Sequence, residues 1–289
     1  MDIGLIDVDG HNFPNLALMK ISAYHKALGD AVEWCLPLKK YDIVYQSKVF
    51  DETYSPDIIW TPNADKIIKG GTGYGLDNKL PDEIEHIYPD YSLYSELTKD
   101  TAYGFLTRGC PRHCDFCIVG DKEGLRSRKV ADLSEFWRGQ ENIELLDPNM
   151  LACRDRMELL DQLIESKAKV NFNQGLDIRF TNEVVAKKLG QIRVKRLHFA
   201  WDNPKDDLED KFRNFARGFR RKSNIGMVYC LTNFNSTMEE NLYRIYTLRD
   251  MGYDPYVMIY NKEQIHKLKI TYRGNIGKKA CQERHNCHT

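Results

Sequence analysis

Six short apolar runs, Tyr103 to Leu106, Ile143 to Leu146, Val170 to Phe172, Arg196 to Ala200, Ile225 to Leu231 and Tyr256 to Tyr260, each lead into helical periodicity. That alternation constrains the fold most. Consecutive parallel strands need a crossover of a dozen or more residues, and a helix is the usual way to make one. Helix boundaries are written into the same region. Thr181 precedes an apolar-periodic run that closes at Gly190, and Ser236 with Glu239 spells a capping box before Met238, Leu242 and Ile245, with Gly252 as the stop. Right-handed crossovers would bring every strand's C-terminal end to one face.

Those ends are polar. Asp147-Pro148-Asn149 follows the second run, Asn173-Gln174-Gly175-Leu176-Asp177-Ile178-Arg179 the third, Trp201-Asp202-Asn203 the fourth and Thr232-Asn233 the fifth. Asp and Asn also cap helices, so any one of these residues reads equally as cap or site. Four polar ends converging on one mouth favour a site. The basic stretch Lys211 to Lys222 is interleaved with Phe212, Phe215 and Phe219 at i, i+3 and i+7. This spacing makes them the core stripe of an amphipathic helix with a solvated basic face, so nucleic acid is not indicated. Phe136 and Trp137 read as core.

After the first run comes Arg108-Gly109-Cys110-Pro111-Arg112-His113-Cys114-Asp115-Phe116-Cys117, which sets three cysteines in a CxxxCxxC spacing. Three thiolates can hold three irons of a cubane cluster and leave the fourth iron without a side-chain ligand. Zinc is the competing reading, with His113 as fourth ligand, but His113 adjoins Cys114 and the paired-knuckle spacing is missing. A disulfide needs an oxidising compartment, for which the sequence gives no sign. Gly109, Gly120 and Gly124 flank the loop, where close backbone approach favours a small residue. Lys122 and Glu123 read as surface residues.

On Cys110, Cys114, Phe116 and Cys117, the last three giving an aromatic residue just before the final cysteine, the chain resembles the radical S-adenosylmethionine superfamily. The resemblance spans about Tyr103 to Asn261. It implies a partial (βα)6 TIM-like barrel and a [4Fe-4S] cluster whose open iron chelates the amino and carboxylate groups of S-adenosylmethionine. Reductive cleavage would then give a 5′-deoxyadenosyl radical that abstracts hydrogen from a substrate, the hard chemistry belonging to the cofactor pair. An electron donor such as flavodoxin or ferredoxin is implied as partner. Asp147-Pro148-Asn149 stands where the superfamily usually has a GGE-like motif for the methionine ammonium, and departs from it. Arg179 would suit the methionine carboxylate as a bidentate fork, Asp177 or Asp202 the ribose hydroxyls, and Gln174 lies in the same cofactor-binding group.

The first hundred residues read as a small parallel, Rossmann-like α/β domain. Ile3 to Val8 leads into Leu16, Met19, Ala23 and Ala27 at helical spacing, closed by Gly29. Further runs lie at Ala31 to Leu36, Asp42 to Tyr45, Asp57 to Trp60 and Ile67 to Ile68, the last meeting Gly70-Gly71-Thr72-Gly73-Tyr74-Gly75. Such a domain ahead of the cysteine motif resembles the cobalamin-binding arrangement of part of the superfamily. Asp9 and His11 match its DxHxxG motif, but Pro14 stands in the glycine's place, so His11 capping or lining the first turn is the favoured reading and cobalamin is not. The expected organisation is 1–94 for this domain and its linker, 95–270 for the barrel and 271–289 for a polar tail.

A chain of 289 residues with 42% hydrophobic content can bury real cores. Its 42 basic and 42 acidic residues balance, so no net field draws nucleic acid or an anionic membrane. No apolar run reaches the ~18 residues of a membrane span, and no signal peptide is apparent, so a cytoplasmic protein without a membrane partner is expected. Cys35 and Cys230 read as small core hydrophobes. Cys281 and Cys287, with His285 and His288, could hold a metal or simply end the chain. Methylthiotransfer would need a second cluster, for which no other three cysteines lie close in sequence. A cobalamin-dependent radical methyltransferase and a non-catalytic iron–sulfur sensor complete the alternatives.

Overall fold

A computed structural model describes residues 1–10, 12–219 and 225–260. In chain order the strands and helices are β1 (Asp2–Asp7), α1 (Leu16–Ala27), β2 (Ala31–Trp34), β3 (Tyr41–Ser47), β4 (Ala64–Gly70), α2 (Asp82–Glu85), α3 (Ser95–Thr98), β5 (Thr101–Gly104), β6 (Thr107–Arg108), α4 (Val119–Glu123), β7 (Arg128–Lys129), β8 (Asn142–Leu145), α5 (Arg156–Ser166), β9 (Lys169–Phe172), α6 (Glu183–Gln191), β10 (Arg193–Val194), β11 (His198–Ala200), α7 (Glu209–Gly218), β12 (Met227–Thr232), α8 (Met238–Asp250) and β13 (Asp254–Ile259). The fold is α/β with parallel sheets.

The N-terminal sheet has the order β2-β1-β3-β4 and is parallel throughout. Strand alternation sends Ile3 and Leu5 toward Leu18 and Ile21 of α1, while Ile6 and Val44 face the other side with Tyr41. The Asn15 side chain caps α1 by accepting from Leu18 N at 3.2 Å. Gly29, at φ 82°, lets the chain turn back into β2. One expectation needs correction here. Asp57 to Trp60 forms no strand, because the Asp57 carboxylate takes Gln46 Nε2, Tyr74 OH, Lys69 Nζ and its neighbour Ile58 N, holding this stretch by side-chain bonds. Among the described residues no helix joins β2 to β3 or β3 to β4.

Apart from the short pair β6 and β7, the remaining strands follow one another across two parallel sheets, β10-β9-β8-β5 and β11-β12-β13. Lys195 N bonds Val170 O at 2.9 Å and Leu176 N bonds His198 O at 2.8 Å, so the chain passes from one sheet to the other through β10 and β11. The fourth expected strand, Arg196 to Ala200, is formed as the shorter β11, and the two-residue β10 precedes it. The first is shifted: it spans Thr101–Gly104, and Gly104 lies under Phe136, whose Cγ would sit 2.3 Å from an added Cβ. No full helix follows that strand either; the crossover from β5 to β8 holds the cysteine loop, five-residue α4 and a 3-10 turn at Leu133–Glu135.

Ala102, Ile143, Leu145, Val170, Phe172, Phe199, Val228 and Cys230 enter one core with Leu160 of α5, Val185 of α6, Phe212 of α7 and Ile245 of α8. The phenylalanine stripe is core as read from its spacing, since Phe212, Phe215 and Phe219 are all buried and Phe136 joins them. Each such ring contributes about 1.5–3 kcal/mol relative to exposure. Caps shift by one residue from the sequence reading. Asn182 caps α6 through Val185 N at 2.9 Å, and the capping box of α8 is Thr237 with Glu240.

Candidate functional site

The cysteine loop is closed at its base. β6 and β7 pair antiparallel, Thr107 opposite Lys129 and Arg108 opposite Arg128, so residues 109–127 leave and return at one point. Gly109 has φ 85°, and a Cβ there would meet Arg126 O at 2.3 Å, so only glycine fits. Gly109 N and Arg108 both donate to the Glu123 carboxylate, at 2.9 and 2.8 Å, and Cys110 N bonds Gly124 O at 3.1 Å. Glu123, read from sequence as a surface residue, is thus the internal latch of this loop.

Asp147 secures the base from below. Its carboxylate is buried and accepts from Leu106 N at 3.2 Å, Thr107 N at 2.5 Å and Thr107 Oγ1 at 2.6 Å. Burial pushes its pKa up to about 6 even though those donors pull the other way. Ser127 Oγ adds a bond to Asn149 O at 2.9 Å.

Cys110 and Cys114 are half-buried, Cys117 is exposed, and all three are free thiols. The Cys110 sulfur accepts from Arg112 N at 3.4 Å and from Asn149 Nδ2 at 3.3 Å. Burial raises the Cys114 thiol pKa; Arg112 opposes this, while Cys117, Asp202 and Cys110 add to it. Among the described residues no three His, Cys, Asp or Glu side chains gather around one point. A cubane asks something different of its protein, one thiolate at each of several irons. Three free thiols on one loop, one already receiving two N–H groups, fit that donor set.

Loops from the other strand ends close on this one. After β8, Asn149 Nδ2 divides its two hydrogens between Cys110 Sγ and Asp177 Oδ2, the latter at 3.3 Å, while its buried Oδ1 has no partner. After β9, Asp177 accepts from Arg179 N and from its guanidinium, both at 3.0 Å. Arg179 also pairs with Asp206 from the loop after β11, and Asp206 reaches back to Arg112 of the cysteine loop at 3.4 Å. After β12, Phe234 meets Phe116 edge-on with centroids 5.6 Å apart, and Phe234 meets Tyr260 at 4.8 Å.

Of the residues singled out in the sequence, Asn149, Asp177, Arg179 and Phe116 thus come together with the cysteines. Asp202 lies beside them: its carboxylate accepts Leu231 N at 3.2 Å, and burial raises its pKa. Gln174 is exposed and stands apart from this network. Asp206, Arg112 and Arg244 were not singled out. Arg244, fully buried, donates to Asp202 O at 2.7 Å, Leu231 O at 2.9 Å and Asn241 Oδ1 at 2.6 Å, so it ties the ends of β11 and β12. A charged residue inside the apolar period of α8 was its one signal in the sequence.

In the N-terminal sheet, Asp9 accepts from Val49 N and Phe50 N, and His11 lies outside the described residues. A Cβ on Gly71 or Gly73 would meet Lys48 O at 2.2 Å or Phe50 O at 2.3 Å, so these glycines permit close backbone packing. Cys230 is buried and Cys35 half-buried, while Cys281, Cys287, His285 and His288 lie outside the described residues. A surface cleft of about 420 Å³ between Lys26, Tyr88, Asp90 and Gln140 includes none of the site residues. Among the described residues no helix is long and apolar enough to cross a membrane. No protein-family model matches the chain, and no curated protein matches it.

Proposed function

We propose that this chain is a radical S-adenosylmethionine enzyme. One observation carries the reading: three free cysteines in CxxxCxxC spacing sit on a loop that the polar ends of β8 and β11 bind directly. The strand sequence β5, β8, β9, β10 with β11, β12 and β13 supports a partial (βα)6 barrel whose mouth this loop covers. The N-terminal sheet is then a reduced Rossmann-like domain.

Cys110, Cys114 and Cys117 would hold a [4Fe-4S] cluster, which with S-adenosylmethionine supplies reductive cleavage of the sulfonium and hydrogen abstraction. Asp147 and Glu123 fix the loop's two ends. Asn149 orients the Cys110 sulfur and presents an unpaired amide oxygen. Arg179, held between Asp177 and Asp206, keeps a cation beside the cysteine loop for a carboxylate.

Anaerobic reconstitution with iron and sulfide, dithionite reduction and assay of 5′-deoxyadenosine test the proposal beside a Cys114→Ala control. Cys114-dependent product supports it; a chain that takes up no iron refutes it, and a cluster that forms without cleavage with or without Arg179 intact favours a sensor.

A further inference from the structure

The surface cleft of about 420 Å³ lies where α1 meets the segment leading into β5 and the crossover that follows β5. Small-molecule sites usually enclose roughly 300–1,000 Å³ and favour such junctions. Contacts among the lining residues fix the wall. Tyr91 OH donates to Phe136 O at 2.7 Å and accepts from Tyr103 N at 3.1 Å, while Thr98 Oγ1 donates to Tyr91 O at 2.8 Å. Tyr88 meets Tyr91 edge-on with centroids 5.4 Å apart, and Gln140 Nε2 donates to Tyr88 OH at 2.8 Å. Ala23 and Pro89 extend the apolar surface of these two rings.

The polar groups left over are donors. Asp90 is the one carboxylate in the lining, and both its oxygens are taken: Oδ1 by Ser92 N at 3.1 Å and Ser92 Oγ at 2.5 Å, Oδ2 by Ser22 Oγ and Lys26 Nζ, each at 2.6 Å. Burial works against its ionisation, but Lys26, Ser22 and Ser92 together hold its carboxyl below the ordinary range. Lys26 remains partly exposed, with N–H groups to spare beyond Asp90. Lys99, beside Thr98, is exposed and makes no ion pair among the described residues. The Arg138 guanidinium covers the Tyr88 ring at 3.7 Å and adds positive charge at that end. Tyr88 OH accepts from Gln140 and keeps its own hydrogen to give. Spare cations beside one satisfied carboxylate select an oxyanion, and the tyrosine wall selects what carries it.

We propose that this cleft binds a small organic oxyanion, a phosphate or carboxylate on an aromatic body, with its oxygens at Lys26 and Lys99 and its ring on the wall of Tyr88 and Tyr91. The site is separate from the cysteine loop and does not depend on the function proposed above.

Calorimetric titration of the full chain at low ionic strength, with no iron and no S-adenosylmethionine, tests it with phenyl phosphate, benzoate, benzyl alcohol and benzylamine. These probes share one ring and differ in charge. Both anions should outrank the alcohol by roughly tenfold, with the amine last, and whichever anion leads names the oxyanion the site takes. Inorganic phosphate should bind about tenfold more weakly than phenyl phosphate, because it leaves the tyrosine wall unused. Lys99→Gln, at a side chain with no ion pair to lose, should cost the leading anion about tenfold and leave benzyl alcohol within about threefold. Lys211→Gln, on α7 and outside the cleft, should change neither. The proposal is overturned by an amine that binds as well as the anions, by inorganic phosphate that matches phenyl phosphate, by anion affinity unchanged in Lys99→Gln or equally lost in Lys211→Gln, or by no binding of any probe.

Discussion

Asp147 poses a contest between two physical effects of opposite sign. Three donors on Leu106 and Thr107 favour its ionised form, while complete burial favours the protonated one, and burial prevails, raising the carboxyl from its ordinary 3.8 to about 6. At about 1.36 kcal/mol per pH unit, that difference corresponds to roughly 3 kcal/mol. The sign follows from proton counting. Between pH 4 and pH 6 the folded chain holds a proton on Asp147 that the unfolded chain has released, so this group's contribution to stability falls as pH rises through that window and is flat above it.

Asp147→Asn isolates the effect, because the amide does not titrate and every other carboxylate is common to both proteins. Urea unfolding of wild type and variant from about pH 4 to pH 7 should show the wild-type advantage shrinking by roughly 3 kcal/mol across the window. Asparagine keeps an oxygen for Thr107 but can turn its Nδ2 toward Leu106 N, so the variant is expected to lose about 1–3 kcal/mol at the acid end. An advantage that stays flat, or grows with pH, would mean that the donors outweigh burial and that Asp147 is an ordinary anionic clamp.

Gly109→Ala would force a Cβ against Arg126 O at a residue with φ 85°; we expect a loss of about 1–3 kcal/mol in unfolding stability and reduced iron uptake, and wild-type iron content would contradict the packing. Asn149→Ala removes an N–H from the Cys110 sulfur; in the reconstituted protein an EPR-monitored redox titration should find the midpoint shifted negative, and an unmoved midpoint would dismiss the contact. Burial raises the Cys114 thiol pKa, and ligation requires the thiolate, so iron incorporation should be more complete at about pH 8.5 than at about pH 7. Incorporation independent of pH would remove Cys114 as the limiting ligand.

The alternation of strands and helices was legible because each buried strand carries its own apolar run and each long helix its own stripe. The corrections come from information that a linear reading lacks. Ser236 and Thr237 are adjacent, as are Glu239 and Glu240, so two capping boxes one residue apart are equally good in sequence, and Thr237 is chosen by the observed bonds. Glu123 looked like surface because its partners, Gly109 N and Arg108, become neighbours only when β6 pairs with β7. Asp206 and Arg112, 94 residues apart, meet only when the loop after β11 closes on the cysteine loop. The cysteine spacing, by contrast, is local and needed no tertiary information.

The two sheets are also tied together at the cysteine loop. Lys122 of α4 donates to Thr72 in the glycine-rich turn after β4, and Arg108 approaches Glu85, which in turn pairs with Lys20 of α1 at 3.0 Å. These contacts lie just past Cys117 and just before Cys110, on opposite ends of the motif. The loop is therefore braced from the N-terminal sheet as well as from Asp147 and Asn149 beneath it. The glycines at 71 and 73 belong to the same brace, because their close fit against Lys48 and Phe50 sets where Thr72 stands. A structural part in holding the cysteines accounts for the N-terminal sheet's position and its glycine cluster.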